Sequence, residues 1–410
     1  MLARRTIKIR SVARKGPAAK SASARIALVK KILREVPLID GHNDLPWQFR
    51  KRGNDLDAIN LAGDTRRLRP PLVTDIPRLR AGSVGGQFWA VYVPPMLTGT
   101  DFVRAVLEQF DITHRMVARY SKTFELALTA ADVKRIHAQG KIASLIGMEG
   151  GHVIDNSLAV LRMTYLLGAR YMTLTHVKNV DWADSANDKP RCRGLSAFGE
   201  QVIREMNRLG MLADLSHVSA ETMRATLKIT RAPVIFSHSC ARALCDNSRN
   251  VPDDVLKRMP ANGGLVMVTF LSQYLIEPAR IRSLKRSREK ARLEKSFPRH
   301  AKKVQAGLDA WEKANPAPRA SLSDVADHID HVRKIAGINH VGIGGDYEGF
   351  DGPPAGLEDV SCYPALLAEL MRRGYSIDDI KKVAGLNILR VIAQAEGVAA
   401  KLQKNPRLKS

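Results

Sequence analysis

The sequence is short of the features that would settle its class at once. Cysteine occurs four times in 410 residues, at Cys192, Cys240, Cys245 and Cys362. No two of these form a CxxC pair, which argues against a disulfide framework and favours free thiols over a zinc–cysteine site. There is no run of about 18 apolar residues, so no transmembrane helix is expected. The last ten residues, "KLQKNPRLKS", hold no hydrophobic tail, so no lipid-anchor signal is expected there. No acid precedes Glu35. The same stretch lacks an apolar core of about 7–15 residues, so a secretory signal is not expected either. No GxSxG elbow and no Cys–His signature supports nucleophilic serine or cysteine chemistry. The glycine-rich "GIGGDYEG" (342–349) is not followed by Lys-Ser/Thr, so it is not a phosphate loop.

What the chain has in excess is positive charge, +24 in all. Its distribution matters more than its size. Residues 1–34 carry eleven Lys/Arg and no acid, residues 277–320 carry thirteen against five acids, and the last ten residues carry four and no acid. These three segments hold all but one of the net charges, so the body of the chain is close to neutral. The basicity thus belongs to solvated arms and an insertion. Specific nucleic-acid binding is not expected, and an anionic surface is at most a secondary partner. The basic leader, residues 1–22, is expected to be disordered. It is compatible with a mitochondrial presequence, a bacterial leader or a start codon placed too far upstream. From Ser23 the apolar residues Ile26, Val29, Leu33 and Val36 recur at helical spacing, and Pro37 stops the helix. One domain is expected over 23–396, with the insertion at about 277–320 and a basic tail over 397–410.

Eight short apolar runs alternate with helical segments. They are 37–44, 85–93, 142–152, 170–176, 210–217, 232–238, 263–270 and 339–346. Helices are expected over Phe102–Tyr120, Ser157–Leu167, Ser196–Leu209 and Ser323–Ala336. Eight continuous apolar runs, each followed by amphipathic helix, predict a closed parallel (β/α)8 TIM barrel with a basic helical insertion after the seventh strand. In "LIDGHNDLPW" (38–47) His42 and Asp44 stand two apart. On a strand that spacing aims both side chains to one side, which suits a metal ion and equally suits an Asx-type turn with a satisfied histidine. The other runs decide between these. They end in Glu149, His176, His217, His238 and Asp346, and in a barrel those ends meet at one mouth. The histidines at 114, 137, 152, 300, 328, 331 and 340 fall on helices, loops or strand starts and read as structural or surface, with His152 nearest the mouth.

This nitrogen and oxygen donor set suits Zn²⁺, with Mn²⁺, Co²⁺ or Fe²⁺ as alternatives, and it offers too many ligands for one tetrahedral ion. Two ions fit better. Glu149 can offer one oxygen to each, and such pairs sit about 3.5–4 Å apart with a bridging hydroxide. Asp346 is then left to accept the water's proton and pass it to a leaving amine.

The stretches "LIDGHNDLPW", "ASLIGMEGGH", "YMTLTHVKN", "DLSHVS", "RAPVIFSHS", "SRNVPDDVL" and "VGIGGDYEG" resemble the membrane (renal) dipeptidase family, peptidase family M19, of the amidohydrolase superfamily. The resemblance runs from about residue 26 to 396, broken by the basic insertion. It implies a metal-dependent hydrolase barrel with two Zn²⁺ per chain. His42, Asp44 and Glu149 would hold the first, and Glu149, His217 and His238 the second. It further implies that His176 polarises the scissile carbonyl and that Arg249 pairs with the dipeptide's C-terminal carboxylate. Tyr274 would line the substrate pocket and Asp346 would act as general acid/base. The implied activity is dipeptide hydrolysis, tolerant of a C-terminal D-residue. The competing reading keeps the site and changes the substrate to an N-acyl amino acid, a β-lactam or a lactone. A basic binding protein on a degenerate barrel would need lost ligands, and none is lost. Without the signal and tail of the mammalian members, the chain resembles the soluble bacterial ones. That implies a cytoplasmic homodimer, with organellar import through the basic N-terminus as the alternative.

Overall fold

The computed structural model describes residues 21–97 and 101–404. Nine parallel strands make one sheet: β1 (Leu38–Asn43), β2 (Val84–Tyr92), β3 (Phe124–Leu126), β4 (Ile142–Glu149), β5 (Ala169–Thr173), β6 (Leu212–Asp214), β7 (Ile235–Phe236), β8 (Leu265–Val268) and β9 (Val341–Ile343). The order is β2-β1-β9-β8-β7-β6-β5-β4-β3, and an additional pairing of β2 with β4 closes it. Eight strands therefore form a closed (β/α)8 barrel, and each contains part of one of the eight apolar runs. The ninth, β3, was not legible. It pairs with the first half of β4, Phe124 opposite Ile142, while β5 takes the second half from Ile146 onward.

Every barrel strand is buried along its length apart from Tyr92 at the end of β2. That is why these strands read as continuous apolar runs instead of alternating ones. The helices start where their sequences say. Ser196 caps Ala197–Leu209 by accepting from the Gly199 amide, and Ser321 forms a capping box with Asp324 at the head of Leu322–Ala336. The remaining expected helices lie at Asp101–Arg119 and Leu158–Leu166. Glycine is required where the barrel interior is tightest: a Cβ on Gly147 would run into the Tyr171 ring.

The basic insertion forms two helices, Glu277–Ser296 and Ala301–Ala314. They are held together by a small cluster of their own, Leu293, Val304 and Leu308, separate from the main core. The leader expected over 1–22 lies almost wholly outside the described residues, and the helix Asn387–Lys404 runs on into the segment expected as a basic tail. The stretch Ile377–Lys404 is long and apolar enough, by length and composition, to cross a membrane. Its residues Ile388, Leu389, Val391, Ile392 and Ala395 are buried in a core cluster with barrel strand residues, as in the core helix of a globular barrel. The four cysteines are free thiols.

Candidate metal centre and substrate cavity

The C-terminal edge of the barrel gathers all the expected residues. His42 lies in β1 and Asp44 directly follows it. Glu149 is the last residue of β4. His176, His217, His238 and Asp346 each lie two or three residues beyond the ends of β5, β6, β7 and β9. Two backbone bonds, Asp346 N to His42 O at 3.1 Å and Asp44 N to Tyr347 O at 2.9 Å, knit the first and last strand ends together. His217 and Asp346 both adopt left-handed backbone, φ +69° and +62°. For residues with a Cβ this conformation is costly, and it is held where a site needs a side chain aimed against the run of its loop.

The Glu149 carboxylate is the centre of the arrangement. Its Oε2 is 3.5 Å from His42 Nε2. Its Oε1 is 3.1 Å from His217 Nε2, 3.5 Å from His238 Nε2 and 3.6 Å from His176 Nε2. His42 Nε2 is also 3.5 Å from Asp44 Oδ2 and 4.0 Å from Asp346 Oδ1. Donor atoms of three overlapping groups, His42–Glu149–His238, Glu149–His176–His217 and His42–Asp44–Asp346, each lie close enough to share one ion. His176 is thus as near Glu149 as the expected ligands are, so geometry alone does not separate a ligand role from a carbonyl-polarising one.

Hydrogen bonds behind two of the histidines fix which nitrogen faces the centre. Tyr171 Oη donates to the Gly41 carbonyl at 3.1 Å and accepts from His42 Nδ1 at 2.8 Å. This leaves His42 Nε2 with its lone pair inward, buried and without a hydrogen-bond partner. Ser237 Oγ donates to Asp214 Oδ2 at 2.6 Å and accepts from His238 Nδ1 at 2.8 Å. His238 Nε2 is therefore an acceptor, and it takes a hydrogen bond from His217 Nε2 at 2.8 Å. Asp214 is anchored by Thr173 Oγ1 at 2.5 Å and by the amides of Ser216 and Ser237. Behind β1, the buried Asp40 carboxylate accepts from the His42 and Gly345 amides, Gln87 and Tyr363. It fastens the aspartate-bearing glycine loop to the first strand.

The electrostatics favour a cation at this centre. Burial holds His217 and His238 well below the ordinary histidine pKa, helped by Arg249 and neighbouring imidazoles, so both are neutral imidazoles, the form that can bind a metal. His176 is lowered by burial as well. For His42, burial is outweighed by Tyr171, Glu149 and Asp44, a field that favours positive charge beside Nε2 and suits a cation there. Burial raises Asp346 well above the carboxylate range, and the like charges of Asp44 and Glu149 add to this. His152, the nearest of the other histidines, is engaged elsewhere. Its Nε2 bonds the Val93 carbonyl at 2.8 Å, and burial lowers its pKa to about 4.

Above this centre opens a cavity of about 390 Å³, lined by Asp44, Glu149, His176, His217 and Asp346 and by Trp47, Tyr92, Gln273 and Tyr274. Arg249 is 1% exposed. Its contacts are long ones, Ser239 Oγ at 3.4 Å and the His238 carbonyl at 3.5 Å, and its Nε has no partner. Among the described residues it makes no ion pair, which excludes the loop salt bridge that is the ordinary reading of such an arginine. Its guanidinium lies over the Tyr274 ring at 5.1 Å. Sequence reasoning missed Tyr171, Asp214, Ser237, Tyr92 and Trp47. For Asp214 a signal existed, a carboxylate inside an otherwise apolar run.

A family model described as membrane dipeptidase (peptidase family M19) matches residues 26–406. Dipeptidase 3 of Rattus norvegicus is 43% identical over 376 residues, covering 90% of this chain and 67% of that protein. Among solved structures, the probable dipeptidase PvdM from Pseudomonas aeruginosa is 25% identical with a TM-score of 0.78, covering 92% of this chain and 100% of that one. A metallo peptidase from Rhodobacter sphaeroides liganded with a phosphinate mimic of the dipeptide L-Ala-D-Ala is 23% identical with a TM-score of 0.72, covering 88% and 99%.

Proposed function

The chain belongs to the membrane dipeptidase family, peptidase family M19, and from that premise we propose that it is a binuclear zinc dipeptidase that cleaves the single amide of a dipeptide, including one with a C-terminal D-residue. The observation that carries this reading is the pairing of two features in one cavity. Glu149 points one oxygen at His42 and the other at His217 and His238, and a buried arginine with no anionic partner stands nearby.

The donor set fits Zn²⁺: three imidazoles, of which His42 and His238 are held from behind with Nε2 inward, and carboxylates whose mutual repulsion a cation relieves. His42, Asp44 and Glu149 would hold one ion, and Glu149, His217 and His238 the other. When bound, such a pair supplies Lewis acidity and a water whose pKa is lowered toward neutrality. The chain's own residues do the rest. Arg249 takes the substrate's C-terminal carboxylate, because a planar guanidinium fork matches it and because an unpaired buried cation is costly. Tyr274 packs under that ion pair. His176, neutral and on the cavity wall, steadies the developing oxyanion on the scissile carbonyl. Asp346 takes a proton on its carboxylate and delivers it to the leaving amine. It stands on the cavity wall, 4.0 Å from His42 Nε2. A cavity of about 390 Å³ is sized for a small molecule.

The test is a set of initial rates on L-Ala-L-Ala, L-Ala-D-Ala, Gly-dehydro-Phe and an N-acyl amino acid, measured before chelation, after it, and with Zn²⁺ restored. The ligand of the Rhodobacter sphaeroides relative makes L-Ala-D-Ala the natural D-residue probe. Metal-dependent cleavage of the dipeptides with the N-acyl compound spared is expected. Turnover of the N-acyl compound alone would move the activity to the competing amidohydrolase reaction.

A further inference from the structure

Beside the catalytic cavity lies a second one of about 340 Å³, and Gln273 and Tyr274 line both. The far wall belongs to the insertion: Arg280, Ser283 and Ser287 all come from the helix Glu277–Ser296. Arg242 closes another side. The charged groups facing this chamber leave hydrogen-bond donors over. Arg242 gives Nε to Asp246 at 2.8 Å, and no bond among the described residues takes up its two terminal nitrogens. Arg280 gives Nε and Nη2 to Glu277 at 2.8 and 2.7 Å and keeps Nη1 free in the same sense. The lining carboxylate Asp246 and the Arg280 partner Glu277 are thus already engaged, and Ser287 gives its hydroxyl to the Ser283 carbonyl at 3.1 Å, while guanidinium N–H groups and the Ser283 hydroxyl remain for a guest.

We propose that this chamber is the subsite for the side chain of the substrate's C-terminal residue, and that it selects side chains that accept hydrogen bonds, carboxylates and carboxamides, over aliphatic ones. The inference rests on the dipeptidase reading and deepens it. A residue whose α-carboxylate meets Arg249 is placed against Tyr274, because that guanidinium lies over the Tyr274 ring. Tyr274 and Gln273 line both cavities, so the side chain of such a residue is directed past them toward the polar chamber. The insertion is then a specificity element, since it supplies the outer wall of the pocket that reads the substrate.

The experiment compares kcat/KM for L-Ala-L-Glu, L-Ala-L-Gln and L-Ala-L-Leu on the zinc-loaded enzyme and on the double variant Arg242→Ala/Arg280→Ala. Both arginines are partly exposed and pair within their own segments, so their loss leaves the barrel intact. The enzyme is expected to favour Glu and Gln over Leu. The Glu-to-Leu ratio should fall about tenfold in the double variant, as loss of charge-assisted bonds to one substrate requires. A merely structural defect would lower both rates together and leave the ratio where it was. An unmoved ratio, or a wild-type preference for Leu, overturns the proposal. Ser283→Trp, which fills the chamber, should slow L-Ala-L-Glu more than L-Ala-Gly, and equal slowing also overturns it. Failure to hydrolyse any dipeptide would instead sink the dipeptidase reading, and the subsite with it.

Discussion

Replacing Ser237 by alanine tests the metal centre without touching a ligand. The Ser237 hydroxyl accepts from His238 Nδ1 at 2.8 Å and donates to Asp214 at 2.6 Å. Its removal leaves a buried N–H without an acceptor, a loss of about 1–3 kcal/mol. Asp214 stays in place, because Thr173 and two backbone amides still hold it. What changes is the His238 ring. Nothing then fixes Nδ1 as the protonated nitrogen, and Nε2 is a lone pair only part of the time. Partners of this kind are worth about 10–100-fold in metal affinity, which is consistent with the hydrogen-bond loss. The assay is zinc retained after dialysis against graded chelator, read by metal analysis beside a melting curve. Ser237→Ala should release one zinc at about 10–100-fold lower chelator concentration. Ser237→Thr, which keeps the hydroxyl, should recover much of the difference. Wild-type retention of both ions in Ser237→Ala would refute the relay from Asp214 to His238.

Glu149→Gln should drop bound zinc from two equivalents toward one or none and abolish turnover; a preparation that still holds two refutes the bridging role. Arg249→Lys should cut kcat/KM for L-Ala-L-Ala by about 10²-fold, since a point charge replaces a bidentate fork. The same variant should change hydrolysis of L-Ala-L-Ala-amide, which lacks the carboxylate, far less, and equal losses on both would remove Arg249 from carboxylate binding. Away from the site, Glu369 is held down to about 2 by its bond to Arg372 and by Arg373. A carboxylate with a depressed folded pKa stabilises the fold above its unfolded value near 4.5, and that contribution is lost as pH falls toward 2. Glu369→Gln should therefore cost about 1–2 kcal/mol at pH 7 after screening, and close to nothing at pH 2, by denaturant melts. A constant difference at both pH values would contradict the shift.

The barrel was legible because each strand is a continuous apolar run, and six of the eight runs close on a polar terminus, a pattern that one such end does not carry. The clustering of the proposed ligand side chains was legible for the same reason: His42, Glu149, His217 and His238 sit at or just past strand ends, where the fold sends them to one mouth. The strand Phe124–Leu126 was not, because three residues with a central glutamate carry no periodicity. Nor were the groups behind the ligands. Tyr171 lies in an apolar run where an aromatic reads as core, and its hydroxyl acquires a role only when β1 and β5 face each other across the barrel. The relay from Asp214 through Ser237 to His238 joins two strands 23 residues apart. The conformation of the insertion was legible in its composition, but the chamber it walls exists only through its position beside Tyr274.

The central claim is that catalysis needs two ions bridged by Glu149. The direct measurement is a titration of metal-stripped protein with Zn²⁺, following L-Ala-D-Ala hydrolysis and bound metal together. The account predicts that activity rises with metal and reaches its plateau at two equivalents per chain. A plateau at one equivalent, or full activity in the stripped protein, would contradict it.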